Sequence, residues 1–540
     1  MPRRSISLFL AASLTCALAA CSSSGGGSTG SESAGEVSGA SSGGSSASNT
    51  PPSEAKYVKS PRAGTDSLVL ILNAQPDTLD PVMSNTVINR WIPVNVLEPL
   101  LLAGPDGKTE PGVADKWSVS DDGLTYKFHI RDNAKFSNDK QVTAEDVVFS
   151  LNALKGSQYT AKSAPLAAVQ KVEAIDPHNV QVTLERRSNQ FLWGVSRVAG
   201  LVMYHGQSAD SRATAPIGAG PYQVSEFKSG DHFTLTANPH YWGKKPAIKT
   251  VRVNFITDAS SELNAMKSGA ADVIPALDAT MLSLIDQQKL TDQFNLVSSE
   301  HNTMYWINLN SLKSPTDDVA VRHAIMKAVD RSQFTKAFAA SAQIIPTCTY
   351  AITTQKPWFK EASDDSCVDK YDPTLASKEI ASAGNASVEL TSVSDLGALP
   401  IMSQIAENQF KNASINLKWN QLTYSRYTQV VFSSSEPDYN VTVMYTTLNL
   451  PQMASCTDPA KAGWKTYCSP KAAGLLAKAD SATSDESRDK YFTEAAKQLQ
   501  EDAVIVPIAL QKGAALTNGA LKGWNEDVPA TALHLANLHW

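Results

Sequence analysis

Strict alternation of apolar and polar positions marks one of the clearest elements of the chain: Leu124, Tyr126, Phe128 and Ile130 follow Asp122-Gly123, a strong hairpin signal. The fullest run of such signals lies between Pro216 and Val273. There Gly218, Gly220 and Pro221 mark a turn into a strand carrying Tyr222, Val224 and Phe227, and Pro239 and Gly243 punctuate the next link. Val251, Val253 and Phe255 predict another strand, Ser260 or Ser261 can cap a helix with Leu263 and Met266 on one face, and Asp272-Val273 begins a further strand. Strand, long turn, strand, helix, strand is the opening of an α/β lobe rather than of a sandwich or a bundle.

Other segments extend the pattern. Leu68 to Leu72 predicts a first strand, and Thr143 with Asp146 makes an approximate capping box for a helix that turns Val147 and Leu151 inward. Val172 to Leu184 predicts a hairpin turning at Asp176-Pro177-His178-Asn179. Met304 to Asn310 reads as a strand, and Asp318 to Arg331 as a helix with Val321, Ile325 and Val329 on one stripe. Ser387 to Ser392, Leu399 to Phe410, Ile415 to Trp419 and Tyr439 to Met444 then read as strand, helix, strand and strand, a second α/β lobe. Trp117, Tyr126 and His129 read as packing and surface residues, and Arg322 as a surface or capping ion-pair residue with ligand contact as the alternative.

At 540 residues, with a hydrophobic fraction of 42%, the chain is long enough for two or three domains. Its net charge of -6 lacks the basic excess of a nucleic-acid partner. Arg3 and Arg4 precede an apolar run from Ile6 to Ala20, which predicts a signal peptide over residues 1–20 that is too short for a membrane span. The paired arginines also fit, poorly, a twin-arginine export signal. From Ser22 a Ser/Gly tract follows that cannot bury enough apolar surface to fold, so residues 21–65 predict a tether.

Beyond Cys21 four cysteines remain, Cys348, Cys367, Cys456 and Cys468. The oxidising compartment favours two disulfides, and 348–367 with 456–468 is the simplest of three connectivities. A metal-thiolate site would need closer spacing or nearby histidines, so no metal site is expected. The nine histidines are scattered, and the chain has no His-Glu-x-x-His, Gly-x-Ser-x-Gly or phosphate-binding glycine loop. Gly218-Ala219-Gly220 lacks the third glycine of a dinucleotide site. Neither an enzyme nor a bound cofactor is expected.

Several of these stretches carry a resemblance. Leu79-Asp80-Pro81, the run from Pro111 to Arg131, Pro216-Ile217-Gly218-Ala219-Gly220-Pro221-Tyr222 and Asn238-Pro239-His240-Tyr241-Trp242-Gly243 are similar to segments of the extracytoplasmic solute-binding proteins of ABC importers. The branch resembled is the peptide/nickel-binding family (family 5, cluster C), which includes dipeptide- and oligopeptide-binding lipoproteins. That resemblance implies a type II periplasmic-binding-protein-like α/β fold: two lobes joined by a hinge, with an additional subdomain inserted in the first. It places lobe I at residues 66–107, 213–309 and 505–540, the insertion at 108–212, and the ligand-enclosing lobe II at 310–504. The hinge crossings are expected at Asn308–Leu312 and in Asp502–Leu510. Leu18-Ala19-Ala20-Cys21 resembles a bacterial lipobox, which makes Cys21 the lipidated residue and anchors the protein to the extracytoplasmic face of the bacterial membrane.

The implied activity is capture of an extracellular solute by closure of the lobes, and delivery to ABC permease subunits with their ATPase; a monomer is expected. Asn85, Thr86, Tyr305, Trp306, Tyr445, Thr446 and Asn449 fall where the family's chain meets solute, and their aromatic faces and neutral polar groups suit such a cleft. Peptide-binding members meet the ligand's ammonium group with an aspartate shortly after a second-lobe strand. Here no carboxylate stands between Asn440 and Cys456, a departure that leaves three readings. Asp438 or Asp458 substitutes, the ligand is a neutral or modified solute such as a sugar or blocked peptide, or it is a metal chelate. Peptide ranks first. A receptor or scaffold lipoprotein that kept the fold without transport is the alternative of another class.

Overall fold

In the computed structural model, the described residues are 60–83, 93–104, 108–157, 163–338, 344–348, 350, 367–385, 387–433, 437–446, 466–467, 469–524 and 534–540. Eleven strands form one mixed sheet: β1 (Ser67–Leu72), β2 (Tyr222–Lys228), β3 (His232–Ala237), β4 (Thr250–Phe255), β5 (Val273–Ile274), β6 (Asn295–Leu309), β7 (Ile344–Pro346), β8 (Val388–Val393), β9 (Leu417–Leu422), β10 (Val441–Thr446) and β11 (Ile505–Thr517). Across the sheet they run β2-β3-β4-β1-β5-β11-β6-β10-β8-β9, and β7 pairs with β11 off this path. β1 is parallel to β4 and β5, and β8 is parallel to β9 and β10, as α/β lobes require.

Two long strands run through the middle of the sheet. β6 spans 15 residues and β11 spans 13, and they are antiparallel to one another. Asn295 to Ser298 lie opposite Thr517 to Ala514, where β11 also pairs with β5; Met304 to Leu309 pair with β11 on one side and β10 on the other. The register shifts between Ser298 and Thr303. The strands flanking this pair thus change along β6, upstream of Asn308–Leu312, from β5 beside β11 to β10 beside β6. The polar run Ser298-Ser299-Glu300-His301-Asn302 hides it, because its composition lacks the apolar positions that mark a strand.

Local structure follows the side chains. Tyr222, Val251 and Val253 are buried, and Leu263 and Met266 pack the helix Ala259–Lys267 into the core. That helix is capped by Asp258, whose Oδ1 accepts the Ser261 N–H at 2.8 Å, rather than by Ser260 or Ser261. An aspartate two positions earlier reaches the free N–H groups of the first turn as well as a serine does. Gly218 serves a close approach: a Cβ there would overlap the Val96 carbonyl oxygen. Asp272, fully buried, accepts Ser60 Oγ at 2.5 Å, Arg62 Nε at 2.6 Å and the Val69 N–H at 2.8 Å, fixing the start of the described chain to β1 and β5. Arg322 is also buried; its guanidinium donates to the carbonyls of Thr316, Asp317 and Asp502. It is a backbone clamp and not a surface ion-pair residue.

The inserted region builds its own four-stranded sheet, in the order Ala114–Val119, Thr125–Ile130, Asn179–Leu184, Val169–Asp176. Tyr126, Phe128 and Ile130 are buried on one face, with Phe191 edge-on to Tyr126 at 4.8 Å. Thr143 N and Oγ1 each donate to Asp146 Oδ2 at 2.9 Å and start the helix Ala144–Lys155. A disulfide joins Cys348 to Cys367, with Cα atoms 5.4 Å apart. Cys21, Cys456 and Cys468 lie outside the described residues. Among the described residues no helix is long and apolar enough to cross a membrane.

Candidate functional site

Side chains of β6, β10 and β11 meet in a polar, aromatic group. Tyr305 on β6 is directly opposite Tyr445 on β10, and their rings lie 5.8 Å apart. The Tyr305 hydroxyl donates to Gln511 Oε1 on β11 at 2.7 Å. Gln511 is only 3% exposed, and its Nε2 has no hydrogen-bond partner among the described residues. A buried amide atom without a partner costs about 1–3 kcal/mol, which makes this an unusual placement.

Tyr445 is 39% exposed, yet its phenol is pushed up to about 12, first by burial and then by Tyr424 and Asp278. The ring is thus partly open to water while its hydroxyl end is desolvated. Tyr305 is almost wholly buried, and burial, then Asp278 and Tyr445, hold its phenol well above the usual range. Asp278 caps the helix Ala279–Gln287 through Met281 N–H to Oδ1 at 2.8 Å. Its other oxygen faces Gly397, in the turn between β8 and the helix Leu399–Asn412, where a Cβ would stand 2.8 Å from Oδ2. Asp278 thus reaches the backbone of the turn after β8. Nearby, burial pushes the Glu262 carboxyl up to about 8, with Asp278 and Asp258 adding to it.

Of the residues singled out in the sequence, Tyr305 and Tyr445 meet in this group. Trp306 is fully buried in the core cluster, on the opposite side of β6 from Tyr305, where it packs and has no face to offer solute. The backbone of Thr446 pairs with Met304. Asn85, Thr86 and Asn449 lie outside the described residues. Asp438 is highly exposed and held by Lys313 Nζ at 2.6 Å, and Asp458 lies outside the described residues. Sequence reasoning missed Asp278, Gln511, Tyr424 and Gly397. Gln511 stands at the end of the apolar run Val504–Leu510, next to Lys512, so the sequence shows only a polar pair there.

A second polar contact joins the inserted region to the helix Pro470–Ser481. Asp480, 3% exposed on the helix Pro470–Ser481, accepts Arg186 Nη1 at 2.7 Å, Ser188 Oγ at 2.9 Å and the Gln190 N–H at 2.9 Å. Asn189 Nδ2 donates to the carbonyls of Ala479 at 3.1 Å and Ala482 at 3.0 Å. Among the described residues no group of three or more His, Cys, Asp or Glu side chains could hold a metal ion.

Comparison with known proteins gives a consistent picture. Residues 108–468 match the profile described as bacterial extracellular solute-binding proteins, family 5 Middle. A probable di/tripeptide-binding protein of Pseudomonas aeruginosa is 24% identical over 504 residues, covering 86% of this chain and 93% of its own. The nickel-binding periplasmic protein of Escherichia coli is 28% identical over 302 residues, 54% of this chain and 56% of its own. Among solved structures, a dipeptide-binding protein of Pseudoalteromonas in complex with Met-Leu superposes with a TM-score of 0.76 at 18% identity, covering 88% of this chain and 99% of that one.

Proposed function

The chain belongs to the bacterial extracellular solute-binding proteins of family 5, and from that premise we propose that it captures a peptide or peptide-like solute at the Tyr305–Tyr445 group. It is a two-lobed binding protein of an ABC-importer family, not an enzyme, and it works outside the cytoplasm. The finer reading is that Cys21 carries a lipid, that residues 21–65 tether the body to the membrane surface, and that the protein is a monomer. Solute enters between the lobes, and closure completes its polar contacts, excludes water and offers the closed form to a permease.

The observation that carries this reading is the meeting of the Tyr305 and Tyr445 rings across β6 and β10, beside the hydrogen bond from Tyr305 to Gln511. Tyr305, Tyr445 and Gln511 stand on neighbouring strands that, on this reading, pass between or face across the lobes, so anything bound there bears on how the lobes meet. Aromatic faces with a few convergent polar atoms are the composition of small-molecule sites. The likeness to di/tripeptide-binding relatives favours a short peptide, and the neutral stretch after β10 favours a recognition of its amino end that is not the family's usual one.

The test is native mass spectrometry of the full-length protein purified gently in detergent, followed by denaturation and identification of what leaves it. A set of short peptides is the expected result. A single nonpeptide mass would move the protein to the specialised-solute branch. A protein that stays empty when challenged with peptides, sugars and metal chelates would overturn capture in favour of a scaffold lipoprotein.

A further inference from the structure

We infer that His323 is a proton-operated clasp at the root of β11: doubly protonated, it ties the end of the helix Asp485–Glu501 to the helix Val319–Lys327, and loss of one proton lets that tie go. β11 begins at Ile505, shortly after Glu501, and carries Gln511 and Ala509, the register partner of Tyr305. A proton taken up at His323 therefore bears on the strand that holds the candidate site. The clasp stands apart from the reading of Tyr305 and Tyr445 as the solute site; only its effect on solute rests on that reading.

The ring stands between two acceptors. Nδ1 lies 2.5 Å from Asp369 Oδ2, and Nε2 lies 2.9 Å from the Glu501 carbonyl oxygen. An ionised carboxylate and a carbonyl only accept, so each ring nitrogen needs its own hydrogen, and the imidazolium alone carries both. A neutral ring has one N–H and leaves a lone pair facing an oxygen, whichever tautomer it takes. The position suits the charge as well. Glu501 is the last residue of a 17-residue helix, where unmet carbonyls and the helix dipole favour a cation. Arg322, the preceding residue, donates to the Asp502 carbonyl through Nε at 3.0 Å and Nη2 at 2.8 Å. Two adjacent basic side chains of one helix thus close the C-terminus of another. A guanidinium keeps its charge throughout, so the histidine is the member of the pair that switches.

The groups around the ring set the direction of the switch. Asp369 faces Nδ1 from the segment that follows the Cys348–Cys367 disulfide. Lys327, on the ring's own helix, binds the same carboxylate at 3.0 Å and Glu379 of the helix Pro373–Ser382 at 3.0 Å. On the other side Glu501 pairs its own carboxylate with Lys497 at 3.9 Å, and Tyr467 and Gln498 donate to the carboxylate of Asp502. The hydrogen bond to Asp369 does most to hold the ring above its ordinary pKa, against burial and the charge of Lys327. The clasp is therefore whole at and below the ordinary histidine range and is released as pH rises through the folded value. Two further contacts keep the junction together when it opens: Gln500 Nε2 donates to the Cys348 carbonyl at 3.3 Å, and the Tyr350 hydroxyl donates to the Ile505 carbonyl at 3.0 Å. Release thus loosens the root of the strand without detaching it.

The test is hydrogen–deuterium exchange of the full-length protein in detergent at about pH 6 and about pH 9, normalised to the rates of an unstructured chain, in wild type, His323→Gln and Asp369→Asn. Wild-type protection over residues 498–507 is expected to be about fivefold greater at the lower pH, the scale of one cation at a helix C-terminus. Protection over Asn179–Leu184, in the inserted sheet with its own core, is expected to stay the same. His323→Gln is expected to show the lower protection at both pH values. Asp369→Asn keeps an acceptor and removes the charge, so the pH at which protection is lost is expected to fall. Calorimetry with trialanine then reads the effect on solute: wild type is expected to bind about threefold more tightly than His323→Gln at the lower pH and equally at the higher, the peptide's own titration cancelling in the ratio. Wild-type protection that ignores pH, or that changes equally over Asn179–Leu184, overturns the clasp, and a transition unmoved in Asp369→Asn overturns the imidazolium held by that carboxylate. Equal affinities at both pH values, with the exchange result intact, overturn the effect on solute alone. A wild type that takes up no trialanine while the exchange result holds counts against the solute reading and not against the clasp.

Discussion

Replacing Asp480 by alanine should loosen the lobes without unfolding either. The carboxylate receives three hydrogen bonds from Arg186, Ser188 and Gln190, all in the inserted subdomain, while Asp480 itself lies on a helix packed against the second-lobe core. A hydrogen bond to a charged group contributes about 1.5–3 kcal/mol. The Arg186 contact is discounted because that side chain is 44% exposed and a screened ion pair contributes only about 0–1 kcal/mol. The Ser188 and Gln190 contacts are buried on the Asp480 side and are not screened in this way, so about 3 kcal/mol is a fair total for the bracket. At about 1.4 kcal/mol per tenfold, that is roughly a hundredfold change in the balance between joined and separated lobes. Where closure is needed for tight binding, apparent affinity falls by nearly the same factor.

The assay is small-angle X-ray scattering of the full-length protein in detergent, contrast-matched, with and without trialanine, beside calorimetry of the same samples. Asp480→Ala is expected to enlarge the radius of gyration of the empty protein and to weaken trialanine by about fifty- to a hundredfold. Glu486→Ala, exposed on the next helix, should do neither. An Asp480→Ala protein with wild-type dimensions and wild-type affinity would refute the reasoning, because the bracket would then contribute nothing to the meeting of the lobes.

Three further outcomes follow from the geometry. His323 is held above its ordinary value of 6.5 chiefly by its hydrogen bond to Asp369 at 2.5 Å, so the stability it adds is complete below that pH and is lost as pH rises through the folded value; thermal melts from about pH 6 to pH 9 should decline in wild type and flatten in His323→Gln. Gly218→Ala must force its methyl against the Val96 carbonyl, and a loss of about 2 kcal/mol or more in urea unfolding is expected, whereas Gly474→Ala, with open space around it, should be neutral or slightly stabilising. Removing both Cys348 and Cys367, which close a loop of sequence separation 19, is expected to lower stability by about 3 kcal/mol, read as a lower midpoint with an unchanged slope against urea if the loop's entropy is the cause.

Much of the fold was legible because its strands advertise themselves. Asp122-Gly123 and the alternation behind it became the hairpin of the inserted sheet, and Val321 and Ile325 became the buried stripe of the helix Val319–Lys327. What resisted reading was structure held by pairing on both sides. The first half of β6 carries Ser298, Ser299 and Glu300, polar enough for a loop, and is a strand only because β11 runs alongside it. The candidate site was harder. Tyr305 and Tyr445 are 140 positions apart, and only the register of β6 with β10 brings their rings together. Asp278 reads as an ordinary helix cap, and nothing in its neighbourhood along the chain says that its second oxygen faces the turn after β8. Trp306 misled because size and aromaticity are shared by core and cleft residues; its position next to Tyr305 on a strand put it on the opposite face.

The paired strands β6 and β11 also decide what kind of motion the body can make. Two antiparallel strands bonded along their length cannot slide past one another, since a one-residue slip would exchange every inward side chain for an outward one. Flexing is the softer mode, and it makes the pair a leaf spring clamped at both ends. On a spring of that kind displacement grows with distance from the bend. Tyr305 and Gln511 are set on the spring itself, whereas Asp480 and its partners on the inserted subdomain are off it. Recognition is thereby mounted on the spring and the holding force away from it, so that each can be altered by substitution with little effect on the other.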